Sequence, residues 1–196
     1  MRHWLRLITV ALFIATAHAA DRPPLRIGWT AWSDAEAVTR LAADILESRL
    51  DQPVELVLLD IGIQYQGVAN GDIDAMLMAW LPLTHKPYMD KVGDQVVNLG
   101  PLYTRARLGW VVPDYIPRDQ LNSITDLEDR KLARKLKNRI HGIDPGAGLM
   151  GLTEDVVDAY ELDLDLQSGS GATSRSPGWL PARSTRHEVA PPTGSE

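Results

Sequence analysis

LRIGWTAWSDAEAVTRLAADILESRLDQPVELVLLD, residues 25–60, decides the fold class. Leu25 to Trp29 reads as a buried strand. Ser33-Asp34-Ala35-Glu36 then has capping-box spacing, with Ser33 placed to cap and Glu36 to reach back. Val38, Leu41, Ala42, Ile45 and Leu46 follow at helical spacing, and Val54 to Asp60 reads as the next strand. Downstream, Ile63 to Ala69 predicts a short helix stopped by Asn70-Gly71, and Asp74 to Trp80 a third strand. Strand, helix, strand, helix, strand is the signature of an α/β lobe with a largely parallel sheet.

The pattern then restarts. Thr84 to Lys91 predicts a helix, Val96 to Leu99 and Arg107 to Val112 strands, and Asp126 to Lys137 a charged surface helix. Arg139 to Ile143 predicts a strand and Leu149 to Tyr160 a helix. This places a lobe boundary near residues 104–108, with a first lobe over 20–105 and a partial second lobe over 106–173. From Ser174 the chain loses apolar periodicity and carries four prolines and three arginines, so residues 174–196 are expected to be disordered. The second lobe is then expected to be incomplete.

The N-terminus reads as an export signal. Arg2 and Arg6 form a basic region, and Leu7 to Ala17 is an apolar run of 11 residues, too short to span a bilayer. Ala17-His18-Ala19 supplies a small-x-small cleavage site, so residues 1–19 are a signal peptide and the location is expected to be periplasmic. The absence of cysteine excludes disulfides, thiol catalysis, cysteine-based metal sites and a lipidated cysteine anchor. The formal charge is −6, and −8 once Arg2 and Arg6 are removed. An acidic chain with five lysines is a poor nucleic-acid binder, because phosphate neutralisation needs clustered cations.

Three segments carry chemistry: Ile27 to Asp34, Ala79 to His85, and Gly142 to Met150. The first two place Trp29, Trp32 and Trp80 where strands end, which is where ligands bind in open α/β sheets. Tryptophan faces bind cations that cannot donate hydrogen bonds. The third segment is a glycine-rich turn opening a helix, whose free N–H groups suit a carboxylate. Together they describe a site for a small zwitterion with a quaternary ammonium at one end. Trp110 lies inside an apolar stretch and reads as core, while Tyr65 and Tyr103 are left undecided. Asp72 and Asp74, after Asn70-Gly71, read as turn residues rather than catalytic carboxylates.

Leu25 to Thr173 resembles the substrate-binding proteins of glycine betaine/proline betaine ABC transporters, through GWTAWSDAE, QGVANGDIDAMLMAWLPLTH, LGWVVPDYIP and GIDPGAGLM. The resemblance implies a type II periplasmic-binding-protein fold, two α/β lobes closing on ligand. It implies that Trp80, with Trp29 or Trp32, belongs to an aromatic cage, and that His85 and the backbone of Gly148 and Leu149 receive the ligand carboxylate. Choline-binding members carry an acid where this chain has Ala31, which tilts the resemblance toward a carboxylated betaine. It implies a permease and its ATPase at the inner membrane as partners, no cofactor, no metal and no catalysis. After Ala172 the family continues into a Gly-Trp-x-Pro-His-Trp strand that this chain lacks, so a truncated or frameshifted gene and weak or absent betaine binding are expected.

A rival reading takes Gly146-Ala147-Gly148-Leu149-Met150-Gly151 as G-x-G-x-x-G, with Asp165 19 residues beyond Gly146 as a ribose-binding acid, hence an oxidoreductase fragment. The export signal and the 45 residues left after Gly151 oppose it. A third reading is a non-binding remnant that folds only as its first lobe. No G-x-S-x-G, H-E-x-x-H or phosphate loop occurs.

Overall fold

The computed structural model describes residues 22–113, 115–169 and 186–188. The signal-peptide reading of 1–19 lies outside them. So does the expected disorder of 174–196, except at Arg186–Glu188, where the backbone is a strand.

A three-stranded sheet organises the first unit. β1 (Leu25–Trp29) sits in the middle, with β2 (Val54–Leu58) on one side and β3 (Ala75–Met76) on the other. Both pairings are parallel, Leu25 opposite Val54 and Ile27 opposite Ala75. Parallel neighbours need crossover connections. These are α1 (Ser33–Leu50) and α2 (Ile61–Asn70). The order β2-β1-β3 means that the first crossover runs from β1 to one side and the second returns past β1 to the other, which opens a crevice at the carboxyl ends of β1 and β3.

Gly28 makes the centre of that sheet possible. A Cβ there would lie 2.5 Å from the Ile73 Cδ1 and 3.1 Å from the Gln64 Cγ, so α2 packs where a side chain would stand. α2 ends as expected: Gly71 takes φ 77°, the left-handed conformation that terminates a helix cheaply only at glycine. Arg26 then ties the turn to β1, donating to the Gly71 carbonyl at 2.7 Å and to Asp74 through its backbone N–H at 2.7 Å.

Several expected elements differ. Ser33 does not cap α1: the cap position is Trp32, without a side-chain hydrogen bond, and Glu36 instead pairs with Arg40 at 2.8 Å. The turn closed by the Trp32 N–H on the Thr30 carbonyl starts the helix at Ser33, one residue earlier than the capping box needs. α1 buries Ala35, Thr39 and Ala43, whereas Leu41 and Ile45 are 61% and 39% exposed. Small side chains four residues apart form the packed face, and the larger apolar ones lie beside it. The third strand spans two residues rather than seven. The strand expected over Val96 to Leu99 is absent: with no partner to receive their backbone groups, Val97 and Leu99 stand 82% and 94% exposed.

The first unit closes with α3 (Lys86–Val92) and a 3-10 turn at Gly93–Gln95. The second unit contains β4 (Val111–Pro113), a 3-10 helix at Ile124–Glu128, α4 (Arg130–Lys135), β5 (Arg139–His141), α5 (Gly148–Ala159) and β6 (Asp165–Gln167). β7 (Arg186–Glu188) pairs antiparallel with β4. The single helix expected over Asp126 to Lys137 is broken in two. Asp129 is extended and accepts the Lys131 N–H at 2.7 Å, ending one helix and capping the next. β5 and β6 are parallel, joined through α5. Val112, Ile116, Leu121, Leu127, Leu132 and Leu162 form this unit's core. Trp110 packs against it and donates to the Thr153 hydroxyl at 3.0 Å, in keeping with a core role.

Candidate functional site

The carboxyl ends of β1 and β3 deliver the two tryptophan motifs to one place. Trp32 and Trp80 face a cleft of about 460 Å³, completed by His85 and Thr84 and, from the other unit, by Ile143, Ala147, Gly148 and Leu149. Such a volume lies in the range of roughly 300–1,000 Å³ usual for small-molecule sites. Trp32 and Trp80, 48 positions apart in the chain, meet there with Gly148, 68 positions beyond Trp80. Five of the six expected site residues are therefore gathered: Trp32, Trp80, His85, Gly148 and Leu149.

Trp29 is the exception. Its ring lies under the Arg40 guanidinium, 5.5 Å from centroid to Cζ, and it does not line the cleft. The last residue of β1 turns its side chain toward α1, whereas Trp32, in the turn beyond, is free of the strand's alternation. Of the two tryptophans that the sequence left open, Trp32 lines the cleft and Trp29 does not.

His85 is 1% exposed and precedes α3. Its Nδ1 accepts the Trp80 backbone N–H at 3.1 Å, so the neutral ring carries its proton on Nε2. Burial holds the imidazole down to about pKa 4 against an ordinary 6.5, partly offset by a hydrogen bond with the Met78 backbone. Around it stand Tyr65, edge-on at 5.8 Å, Tyr88 at 6.0 Å and Trp32 at 6.2 Å. Tyr65 and Tyr88 stack on each other at 5.4 Å. Burial, followed by the influence of Tyr88, raises the Tyr65 hydroxyl to about 12. Tyr65 therefore braces His85 and does not face the cleft itself. At neutral pH His85 is uncharged and adds no net charge to the cleft.

α5 begins at Gly148, and the first N–H groups of a helix have no intrahelical acceptor. Gly148 is required there. A Cβ would run into the carbonyl and methyl of Thr84 on the opposite unit. Backbone meets backbone across the cleft only because the side chain is absent.

Two further hydrogen bonds join the units. The Trp32 Nε1–H donates to Asp144 Oδ2 at 2.7 Å, and the Tyr88 hydroxyl donates to the Gly146 carbonyl at 2.5 Å. Sequence reasoning missed both, together with Thr84, Asp34 and Glu36 in the cleft lining. Asp34 and Glu36 sit in the very GWTAWSDAE run that marked the site, but there they read as ordinary first-turn acids of a helix. Tyr103 lies near Asp34: its hydroxyl pKa is raised by burial and then by the charge and hydrogen bonding of that carboxylate. Among the described residues no group of three or more His, Asp or Glu side chains is placed to hold a metal ion.

Two α/β units, parallel sheets and a ligand-sized cleft between them define a solute-binding protein of the periplasmic-binding-protein fold. The chain belongs to the family described as the substrate binding domain of ABC-type glycine betaine transport systems, whose model OpuAC matches residues 23–176. It is similar to lactococcal OpuAC, solved closed and complexed with glycine betaine, at 33% identity and TM-score 0.65 over 76% of this chain and 56% of that one. It is also similar to ProX of Borrelia burgdorferi, a glycine/betaine/L-proline-binding protein, at 31% identity and TM-score 0.68, covering 76% and 54% of the two chains. ORF1 of Chromohalobacter salexigens, an uncharacterized protein, is 32% identical over 146 residues, 71% of this chain and 89% of its own length. The chain spans little more than half the length of the two solved relatives.

Proposed function

We propose that this chain binds glycine betaine or a closely related carboxylated quaternary-ammonium osmolyte, as the receptor of an ABC importer. One observation carries the reading: Trp32, Trp80, His85 and the start of α5, distant in sequence, line one cleft. The faces of Trp32 and Trp80 would hold the trimethylammonium group, each contact contributing roughly 0.5–2 kcal/mol. The acids Asp34 and Glu36 in the lining add a favourable potential for the cation. The carboxylate would take the backbone N–H groups of Gly148 and Leu149 and lie against the neutral His85 ring. The hinge of the clamp falls near residue 105, between the two units. The chain works in the periplasm after removal of residues 1–19, delivering ligand to an inner-membrane permease driven by an ATPase, and it catalyses nothing. Among the described residues no helix is long and apolar enough to cross a membrane.

Isothermal titration of the purified chain with glycine betaine and with choline tests this. Weak but saturable betaine binding, stronger than choline binding and weakened about tenfold further by Trp80→Ala, is the expected result. Absence of any heat up to about 1 mM of either solute, a Kd worth roughly 4 kcal/mol, overturns it.

A further inference from the structure

We infer that Asp144 is a positioning residue for the cleft: its carboxylate takes the Trp32 indole N–H across the boundary between the units and fixes the ring as a wall of the binding site. The consequence for ligand rests on the betaine reading above; the hydrogen bond itself does not.

Trp32 borders two spaces. One face belongs to the cleft with Trp80 and His85, and the ring also borders an adjoining cavity of about 520 Å³ with Thr30, Asp60, Ile61, Asp144, Gly146 and Gly169. The indole is therefore a partition, and small rotations about its two side-chain torsions decide which space it closes. The ring packs against the cluster of Ile61, Tyr65 and Val92, and its aromatic neighbour His85 is tilted by 40° with centroids 6.2 Å apart, so no stacking partner fixes its rotation. The directional restraint is the 2.7 Å bond from Nε1–H to Asp144 Oδ2. A carboxylate acceptor makes such a bond short and strong. It also places negative charge at the positive edge of the indole, which favours a cation on its face.

Asp144 is itself held firmly. The Ala147 N–H closes a turn onto the Asp144 carbonyl at 2.9 Å, and Pro145 restricts the backbone within it. The next residue, Gly146, accepts the Tyr88 hydroxyl from α3, so the turn is strapped to the first unit at two adjacent points. Asp144 lies 112 residues from Trp32 and on the other unit, so the bond exists only when the units are together. Ligand and closure thereby become coupled. Closing sets the Trp32 ring, and a cation that prefers the set ring favours the closed form.

The test uses the full chain, labelled with nitrogen-15, and needs no ligand in its first arm. The six tryptophans give separate indole N–H signals, and Trp32→Phe assigns that of Trp32. The expected signal is downfield and exchanges with solvent at least tenfold more slowly than in Asp144→Ala. Asp144→Asn, which keeps an acceptor without the charge, restores part of the protection. The remaining indole signals, unmoved, show that each variant is folded. In the second arm, glycine betaine titrations give about tenfold weaker binding for Trp32→Phe and for Asp144→Ala, and the double variant is no weaker than the weaker single one, because both remove the same bond. A Trp32 signal unchanged by Asp144→Ala, or losses that multiply in the double variant, overturns the inference. If the unaltered chain binds no betaine, the functional reading fails, while the indole signal still decides the role of Asp144.

Discussion

Lowering the pH should unfold this protein through His85, and the size of the effect follows from its burial. The imidazole is held at about 4 when folded and has an ordinary value of 6.5 when exposed. Below 6.5 the unfolded chain takes up a proton that the folded chain refuses, so the unfolded state binds more protons and stability falls with falling pH. The loss develops between pH 6.5 and about 4 and is constant below, where both states are protonated. A difference of 2.5 units at 1.36 kcal/mol per unit amounts to about 3 kcal/mol, a large part of the roughly 5–15 kcal/mol that holds a domain together. The control is His85→Asn, whose side-chain oxygen can still accept the Trp80 N–H but cannot titrate in this range. Urea unfolding of both proteins at pH 7.0, 5.5 and 4.0, followed by circular dichroism, isolates the term. The variant starts less stable because it fills less of the buried space. The gap then narrows by about 1.4 kcal/mol at pH 5.5 and about 3 kcal/mol at pH 4.0. Two curves that stay parallel across this range would refute the claim that His85 is buried neutral.

Three other perturbations read separate parts of the structure. Gly148→Ala should prop the units apart, because its Cβ meets the Thr84 backbone; solution scattering should show a larger radius of gyration and titration at least tenfold weaker betaine binding, with helix content unchanged. Trp29→Phe should leave betaine affinity within about twofold, while Trp32→Ala costs about tenfold, a contrast visible in paired calorimetric titrations. Gly28→Ala should destabilise the chain by about 1–3 kcal/mol in urea unfolding, since its Cβ would stand 2.5 Å from Ile73 in the packed sheet.

What the sequence determined by itself was whatever is written in local chemistry. The alternation of apolar runs and helical periods sufficed for the α/β class, and Asn70-Gly71 for the end of α2, because glycine takes a left-handed φ without steric cost. The segments carrying Trp-Leu-Pro, Trp-Ser and the glycine-rich helix start were legible because ligands of open α/β sheets bind beyond the carboxyl ends of strands. Tertiary structure decided everything that depends on which surfaces meet. The apolar stripe of α1 pointed to Leu41 and Ile45, yet the sheet selects Ala35, Thr39 and Ala43, since close approach favours small side chains. Val96 to Leu99 had strand composition but no partner to pair with, and a strand is a property of two segments. Trp29 and Trp32 were indistinguishable by type; only the turn beyond β1 separates the ring under Arg40 from the ring in the cleft. Asp144 lies in the glycine-rich segment, and nothing within that segment could show that a tryptophan 112 residues away donates to it.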